Sequence, residues 1–315
     1  MTRPGVPTSR ALTRLGRALG RAGLRTLIQA LRYYPGGHDR ALALGRSLGR
    51  LVWRTQPKRR RVALRNALIA YGDSLAPAER ERIVRASFEH FGMTAVETIR
   101  FAYMSDAQAE SLLHVDPASY DELRDVLARG HGCLLVTGHV GNFEVMGRWL
   151  AARGHEVIAL AREAADPGTT ALMVALRARN GIHVVTRRQS LRPIYEGLAR
   201  GACVAIIADQ NSKDVVAPFF GHPTGTFDGP ARIALKSGAA LLFFSCVRDG
   251  RGGFAVRSHG HVWPEPTDDR RADVQRLTTA VNAHLEAIIR AHPEQWLWMH
   301  NRWRSSPPVR QRYGF

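Results

Sequence analysis

Apolar positions recur at helical steps through the first hundred residues and in short uninterrupted runs after that. From Pro77, a first-turn residue, Ile83, Val84, Phe88, Phe91, Ala95, Ile99 and Phe101 mark the buried stripe of one long helix. After Leu113 the pattern alternates. Runs near Cys133 to Thr137, Val157 to Ala161, His183 to Val185, Cys203 to Ala208 and Leu241 to Val247 have the length and bulk of buried strands. Amphipathic stretches at Val145 to Ala152, Thr169 to Asn180, Leu191 to Arg200 and Asp228 to Ser237 separate them, and a last helix covers about Arg271 to Ala291. Such alternation predicts an α/β fold, with a mostly parallel central sheet flanked by helices and a helical region ahead of it. Asn211 to Phe227, rich in Gly and Pro, reads as a loop. Its Pro218-Phe219-Phe220-Gly221 stretch is open between the wall of an apolar channel and core.

The candidate chemistry lies where strands end. Cys133-Leu134-Leu135-Val136 runs into Gly138-His139-Val140-Gly141-Asn142-Phe143-Glu144, which places His139 at a strand's carboxyl end, the edge where open α/β sheets bind ligands. Asn142 is predicted to cap the helix that follows, and Glu144 falls in its first turn. The spacing suggests a general base with its orienting carboxylate: Glu144 holds one ring nitrogen and the other is free to take a proton. A solvated first-turn carboxylate beside a capping histidine is the plainer alternative. Backbone N–H groups of the Gly141 turn, with Asn142, are candidate oxyanion support. Asp209 follows the Cys203 run and so belongs to the same sheet edge. Arg177, at a helix C-terminus, is open between macrodipole compensation and a place in the site.

The net charge of +18 matters mainly through its distribution. Sixteen Lys or Arg stand in residues 1 to 65 against the single acid Asp39, which leaves the remainder nearly balanced. Arg14, Arg17, Arg21, Arg25 and Arg32 alternate with Leu12, Leu15, Leu19, Leu27, Ile28 and Leu31, the pattern of a basic amphipathic helix at an anionic membrane surface. A second basic segment, Asp39 to Arg61, has Leu48, Leu51, Val52 and Trp53 as its apolar side. No apolar stretch approaches the length of a membrane span, and arginines interrupt any signal-peptide core. Cys133, Cys203 and Cys246 each fall inside an apolar run without metal-ligand spacing, so neither a zinc site nor a disulfide framework is expected, and no cofactor. The match of Gly45-Arg46-Ser47-Leu48-Gly49 to a nucleophile elbow lies in a helical stretch, where that motif does not work. A nucleic-acid-binding arm is the competing reading of the basic segment, but nothing further along resembles a nucleic-acid module, and no nucleic acid is expected as a partner.

In order along residues 55 to 305, several segments resemble the bacterial lipid A late (lauroyl/myristoyl) acyltransferases and the related phosphatidylinositol mannoside acyltransferases, within the lysophospholipid acyltransferase superfamily. They are Arg65-Asn66-Ala67-Leu68 with Ala86-Ser87-Phe88 and Glu97; Gly138 to Glu144; Ala208-Asp209-Gln210; Phe219-Phe220-Gly221 with Thr226, Gly229-Pro230-Ala231 and Ser237-Gly238-Ala239; and Pro293 to Trp303. The resemblance implies a glycerolipid acyltransferase-like sheet. It also implies acyl transfer from a thioester of acyl carrier protein or coenzyme A to a glycolipid hydroxyl, at the cytoplasmic face of the bacterial inner membrane. It carries His139 over as base, Glu144 as its partner, and Arg177 and Asp209 as residues around the site. The expected division is a basic membrane-association segment at 1–56, an acyltransferase domain at 57–305 and a short tail at 306–315. Two departures stand out: the arginine-rich helix replaces an apolar anchor common among relatives, and Phe243 stands where relatives usually have proline.

Overall fold

The computed structural model describes residues 9–34, 37–187 and 189–315. The side chains of residues 9–17 and of Leu19 also lie outside the description, so Arg14, Arg17, Leu12, Leu15 and Leu19 of the amphipathic pattern are not placed. The helical region comprises α1 (Ser9–Arg32), α2 (Gly37–Thr55), α3 (Pro57–Tyr71), α4 (Pro77–Phe101) and the short α5 (Asp106–Glu110). The alternating region follows as β1 (Leu113–Val115), α6 (Pro117–Leu127), β2 (Cys133–Thr137), α7 (Phe143–Ala152), β3 (Val157–Ala161), α8 (Pro167–Arg179), β4 (Ile182–Thr186), α9 (Arg192–Ala199) and β5 (Cys203–Ile207). Then come β6 (Asn211–Phe219), β7 (His222–Thr226), α10 (Gly229–Ser237), β8 (Ala240–Arg248), β9 (Phe254–Val262), α11 (Arg270–Ala291) and α12 (Pro307–Tyr313).

Seven strands form the main sheet in the order β1-β9-β8-β2-β5-β3-β4. Every pair is parallel except β8 with β9, so the expected mostly parallel α/β architecture is what the chain forms. β2 lies between β8 and β5 and is buried at all five positions, as a parallel strand covered on both faces must be. The predicted strands fall within a residue or so of the observed ones, and the three cysteines are buried in strands as expected. β1, α6 and β9 lack a clear sequence signal. In β9, the alternation of exposed and covered positions is blurred by Gly260 and the polar run Arg257-Ser258-His259.

The Asn211 to Phe227 stretch is not a loop. It is a two-stranded antiparallel hairpin whose turn is Phe220-Gly221, both at positive φ (51° and 73°), the twist that a two-residue hairpin turn needs. Phe219 and Phe220 are core rather than channel wall. They pack among Trp296, Trp298 and Trp303, with ring centroids 5.9 Å apart for Phe219 and Trp296. Phe243 is fully buried, its ring stacked on His284 at 3.8 Å.

α1 and α2 share a core with the rest of the chain. Ile28, Leu31 and Ala41 cluster with Val96 and Ile99 of α4 and Leu176 of α8, and Arg21 pairs with Asp166 at 2.6 Å. Gly45 and Gly49, the false nucleophile elbow, lie mid-helix where α2 meets α4 backbone to backbone. A Cβ on Gly49 would stand 2.2 Å from the Phe88 carbonyl oxygen. Gly49→Val is therefore expected to force the helices apart and cost about 3 kcal/mol, read as a lowered urea midpoint. Gly23→Ala, helical with open space around it, should be neutral or stabilising, and an unchanged midpoint for Gly49→Val would contradict the packing.

Candidate active site

The sheet register sets the site. Thr137 of β2 lies beside Ile207 of β5, so two residues further along each chain His139 and Asp209 leave the sheet at the same level. His139 Nδ1 is 2.7 Å from Asp209 Oδ1. The His139 backbone N–H donates to Oδ2 at 2.7 Å, and Trp296 Nε1 donates to the same oxygen at 2.8 Å. Asp209 is 2 % exposed. Burial pushes its carboxyl upward, but the His139 charge and these hydrogen bonds outweigh burial and hold its pKa down at about 2.

The carboxylate on His139 is thus Asp209, and this corrects the expectation that Glu144 would take that ring nitrogen. Glu144 turns to Arg177 instead, accepting from its Nε at 3.0 Å and its Nη2 at 2.5 Å. Burial lowers the Arg177 pKa and the Glu144 hydrogen bonds more than compensate, leaving it raised. The reason is geometric. Glu144 starts α7 and faces α8, whereas the imidazole faces the neighbouring strand end on β5. All four side chains nevertheless meet at one place, because His139, Glu144 and Arg177 line a single cavity and Asp209 backs the histidine.

Two further expectations are corrected. The Gly141 N–H donates to the Gln295 carbonyl at 3.1 Å and the Asn142 N–H to the Cys246 carbonyl at 2.7 Å, so neither amide is free to hold an oxyanion. Gly141 is required here for another reason: at φ +63°, a Cβ would lie 2.0 Å from the Cys246 carbonyl oxygen. Nor does Asn142 cap α7. Its carboxamide is buried and donates to Glu97 Oε2 at 2.9 Å, inside a cluster where Arg248 Nη1 reaches Glu97 Oε1 at 2.5 Å and Arg248 Nε donates to His90 Nδ1 at 3.2 Å. Burial and the Arg248 charge hold the His90 pKa at about 3, which keeps the ring an acceptor. The His139-to-Asn142 turn is therefore clamped on three sides, by Glu97, by Cys246 and by Leu297, whose N–H bonds the His139 carbonyl at 3.1 Å. This clamp presents His139 Nε2 at the cavity with a fixed ring orientation.

Sequence reasoning named Gln210, Trp296 and His300 only within the family-like segments and gave them no place in the site. Gln210 Nε2 stands 3.5 Å from His139 Nε2. His300 Nε2 accepts the Asn211 N–H at 3.0 Å and so fixes the backbone after Asp209. Burial lowers its pKa to about 4, so it stays neutral in that role. The visible signal was the aromatic Pro293 to Trp303 run, but nothing local says which strand end it would reach.

The cavity holds about 620 Å³. Its lining is largely apolar: Leu135, Met146, Gly147, Val157 and Ile182, with Phe91, Ala95 and Ile99 of α4 and Leu24, Leu27 and Leu31 of α1. Ala95 is exposed and Phe91 only half-buried, because that side of the α4 stripe faces the cavity instead of packed side chains. Arg162, Glu163, Arg187, Gln210 and Ser212 add polar groups to the same lining.

The Glu144–Arg177 pair and the His139–Asp209 pair are separable. Asp209→Asn is expected to change the ¹⁵N tautomer pattern of His139, and Glu144→Gln to leave it unchanged. Glu144→Gln and Arg177→Gln should instead be strongly non-additive in stability, with a coupling on the order of 1 kcal/mol or more. A His139 tautomer that follows Glu144 would return the pairing to the sequence expectation.

A histidine with a buried carboxylate behind it, lining a largely apolar cavity on a parallel sheet edge, suits an enzyme that works on an acyl chain. Residues 9–305 match the family described as bacterial lipid A biosynthesis acyltransferase, and the chain belongs to it. It is similar to a phosphatidylinositol mannoside acyltransferase of Mycobacterium tuberculosis, 30% identical over 225 residues, 69% of either chain. It is also similar to the lipid A biosynthesis lauroyltransferase of Escherichia coli (28%) and to that organism's palmitoleoyltransferase (26%), each over 272 residues, 84% of this chain and 85% of theirs.

Proposed function

We propose that this acyltransferase moves a fatty acyl chain from a thioester, on acyl carrier protein or coenzyme A, to a hydroxyl of a glycolipid, a lipid A precursor in the first place. The observation that carries this reading is His139 Nε2 opening onto the apolar cavity while Asp209 holds Nδ1. The acyl chain lies in the cavity, where each buried methylene stabilises the complex by about 0.8 kcal/mol. His139 Nε2 takes the acceptor's hydroxyl proton as that oxygen attacks the thioester carbonyl, and Asp209 stabilises the imidazolium that forms. The tetrahedral oxyanion is met by the Arg177 guanidinium and the Gln210 carboxamide, which line the cavity. Collapse breaks the C–S bond, and the leaving thiolate recovers the proton from His139. Lipid mass spectrometry of a strain lacking the chain tests the assignment: a glycolipid short of one acyl chain is expected, and an unchanged glycolipid profile would count against it. A second reading, acylation of a phosphatidylinositol mannoside, is favoured by the 30% identity to the mycobacterial enzyme, and the same measurement separates the two.

We also propose that the enzyme works at the cytoplasmic face of the inner membrane, lying on anionic lipid. Among the described residues no helix is long and apolar enough to cross a membrane. The surface of α1 and α2 combines exposed Arg25, Arg32, Arg40 and Arg46 with exposed Leu27, Tyr33 and Leu51, the mixture that interfacial helices present to headgroups. Leu24, Ile28 and Leu31 face inward, so the apolar side of α1 serves the cavity and core as well. Arg25→Glu with Arg40→Glu is expected to weaken binding to phosphatidylglycerol-containing vesicles about fivefold per arginine lost, and flotation that ignores both charges would remove the proposal.

A further inference from the structure

Glu97 of α4 is a buried carboxylate that proton transfer at His139 does not use. Its partners come from three other parts of the fold. Asn142 Nδ2, in the turn that carries His139, donates to Oε2 at 2.9 Å, the Arg248 guanidinium at the end of β8 meets both oxygens, and His38 Nε2 of α2 stands 3.7 Å from Oε1. Thr94, nearly one turn earlier on the same side of α4, donates to the Gly141 carbonyl at 3.4 Å. Arg248 is tied to Gln295, whose carboxamide bonds both the backbone N–H and the carbonyl of Arg248 and whose own carbonyl holds the Gly141 N–H. Glu97 thus reaches the turn by two routes, one through the Asn142 side chain and one through Arg248 and Gln295.

Stability alone does not account for this arrangement. Well-packed apolar groups in place of a buried ion pair are often as stable or more so, and Asn142 is fully buried with its Oδ1 lacking a partner among the described residues, which costs folding free energy. What the arrangement secures is the place of a turn that lies outside every helix and strand of the fold. We propose that Glu97 is a positioning residue for acyl transfer, acting through Asn142 on the turn that aims His139 Nε2 into the cavity. The inference rests on the acyl-transfer reading. Glu97 is not among the residues that line the cavity, so its loss leaves the His139–Asp209 pair chemically intact and displaces it.

Asn142→Ala removes the link and leaves the Glu97–Arg248 pair in place, which makes it the variant expected to fold. It should lower kcat about 10²-fold, the scale of a reacting group misplaced by about 1 Å, with KM for donor and acceptor near constant and the pH limbs of kcat unmoved. Asn142→Asp sets a second carboxylate against Glu97 and should lose at least as much. Combining it with Glu97→Gln restores one carboxylate and one carboxamide across the same contact and should regain about tenfold, the coupling expected within one network. Leu123→Ala, a core truncation on α6, supplies a destabilised chain that should keep its kcat. In spectra of histidine labelled with ¹⁵N and ¹³C, Asn142→Ala is expected to keep the His139 tautomer while its ring signals broaden or split. A kcat within a few-fold of the intact chain in either Asn142 variant, an equal loss in Leu123→Ala, or no recovery in the paired variant overturns the assignment. If the intact chain transfers no acyl group at all, the functional reading fails, and the histidine spectra still decide: sharp, unshifted His139 ring signals in Asn142→Ala overturn the positioning role.

Discussion

His139→Ala is expected to lower acyl transfer by roughly 10²- to 10⁴-fold, the range for loss of a positioned general base, and to lower stability as well, because the buried Asp209 carboxylate loses its imidazole partner, while the fold is kept. The side chain is not part of the packed core. Its ring touches Phe143 edge-on with centroids 5.2 Å apart, and its other face is turned to the cavity. The turn that carries it is held by backbone bonds to Leu297, Gln295 and Cys246, none of which needs the imidazole. Steady-state assays with one acyl thioester and a purified glycolipid acceptor measure the effect, and circular dichroism checks the fold. Turnover within a few-fold of the unaltered chain would remove His139 from the reaction.

Asp209→Asn should be as damaging, on the order of 10³- to 10⁴-fold, for a reason of tautomer rather than charge alone. Oδ2 already accepts two donors, the His139 backbone N–H and Trp296 Nε1. A carboxamide keeps those bonds only by putting its oxygen at that position, which turns its NH₂ towards His139 Nδ1. Nδ1 then has to accept, the ring proton moves to Nε2, and the atom facing the cavity can no longer take a proton. The same substitution alters acid stability. With a folded pKa of about 2, below the ordinary aspartate value, ionised Asp209 contributes stability that is present above about pH 4 and lost as pH falls through 2. The magnitude is about 2 kcal/mol. The Asp209→Asn variant should therefore show a flatter dependence of stability on pH between about pH 4 and 2. Wild-type turnover in that variant would mean that the carboxylate does not set the tautomer.

The two pairs at the site differ in what they do. In the proposed reaction His139 and Asp209 manage one proton. Glu144 holds the Arg177 cation in place, and α7 and α8 are joined through that bond. The sequence motif His139-x4-Glu144 therefore marks a place where two functions adjoin instead of one dyad.

Local pattern fixed a good deal of this molecule before any tertiary contact. Uninterrupted apolar runs of five residues bounded by turn signals read as strands buried on both faces, so β2, β3 and β5 were legible almost to the residue, as were the helices between them. Because strand ends follow from strand runs, His139 and Asp209 could both be placed at the sheet's carboxyl edge from their own neighbourhoods. What that pattern cannot contain is which edge residues touch. The pairing of β2 with β5 brings together His139 and Asp209, 70 positions apart, and the intervening β3 and β4 are set aside on the far side of β5. That strand order, a property of the whole packed sheet, delivers Asp209 and not Glu144 to the imidazole. The hairpin at Asn211 to Phe219 and His222 to Thr226 escaped for a related reason: its Gly and Pro content matches a loop, and only burial against Trp296 and Trp303 makes a sheet of it. The cavity likewise belongs to tertiary structure alone, since Leu24 of α1, Phe91 of α4 and Gly147 of α7 become one wall only when three helices meet over the same strand ends. Periodicity is written between neighbours, whereas a site is written between elements.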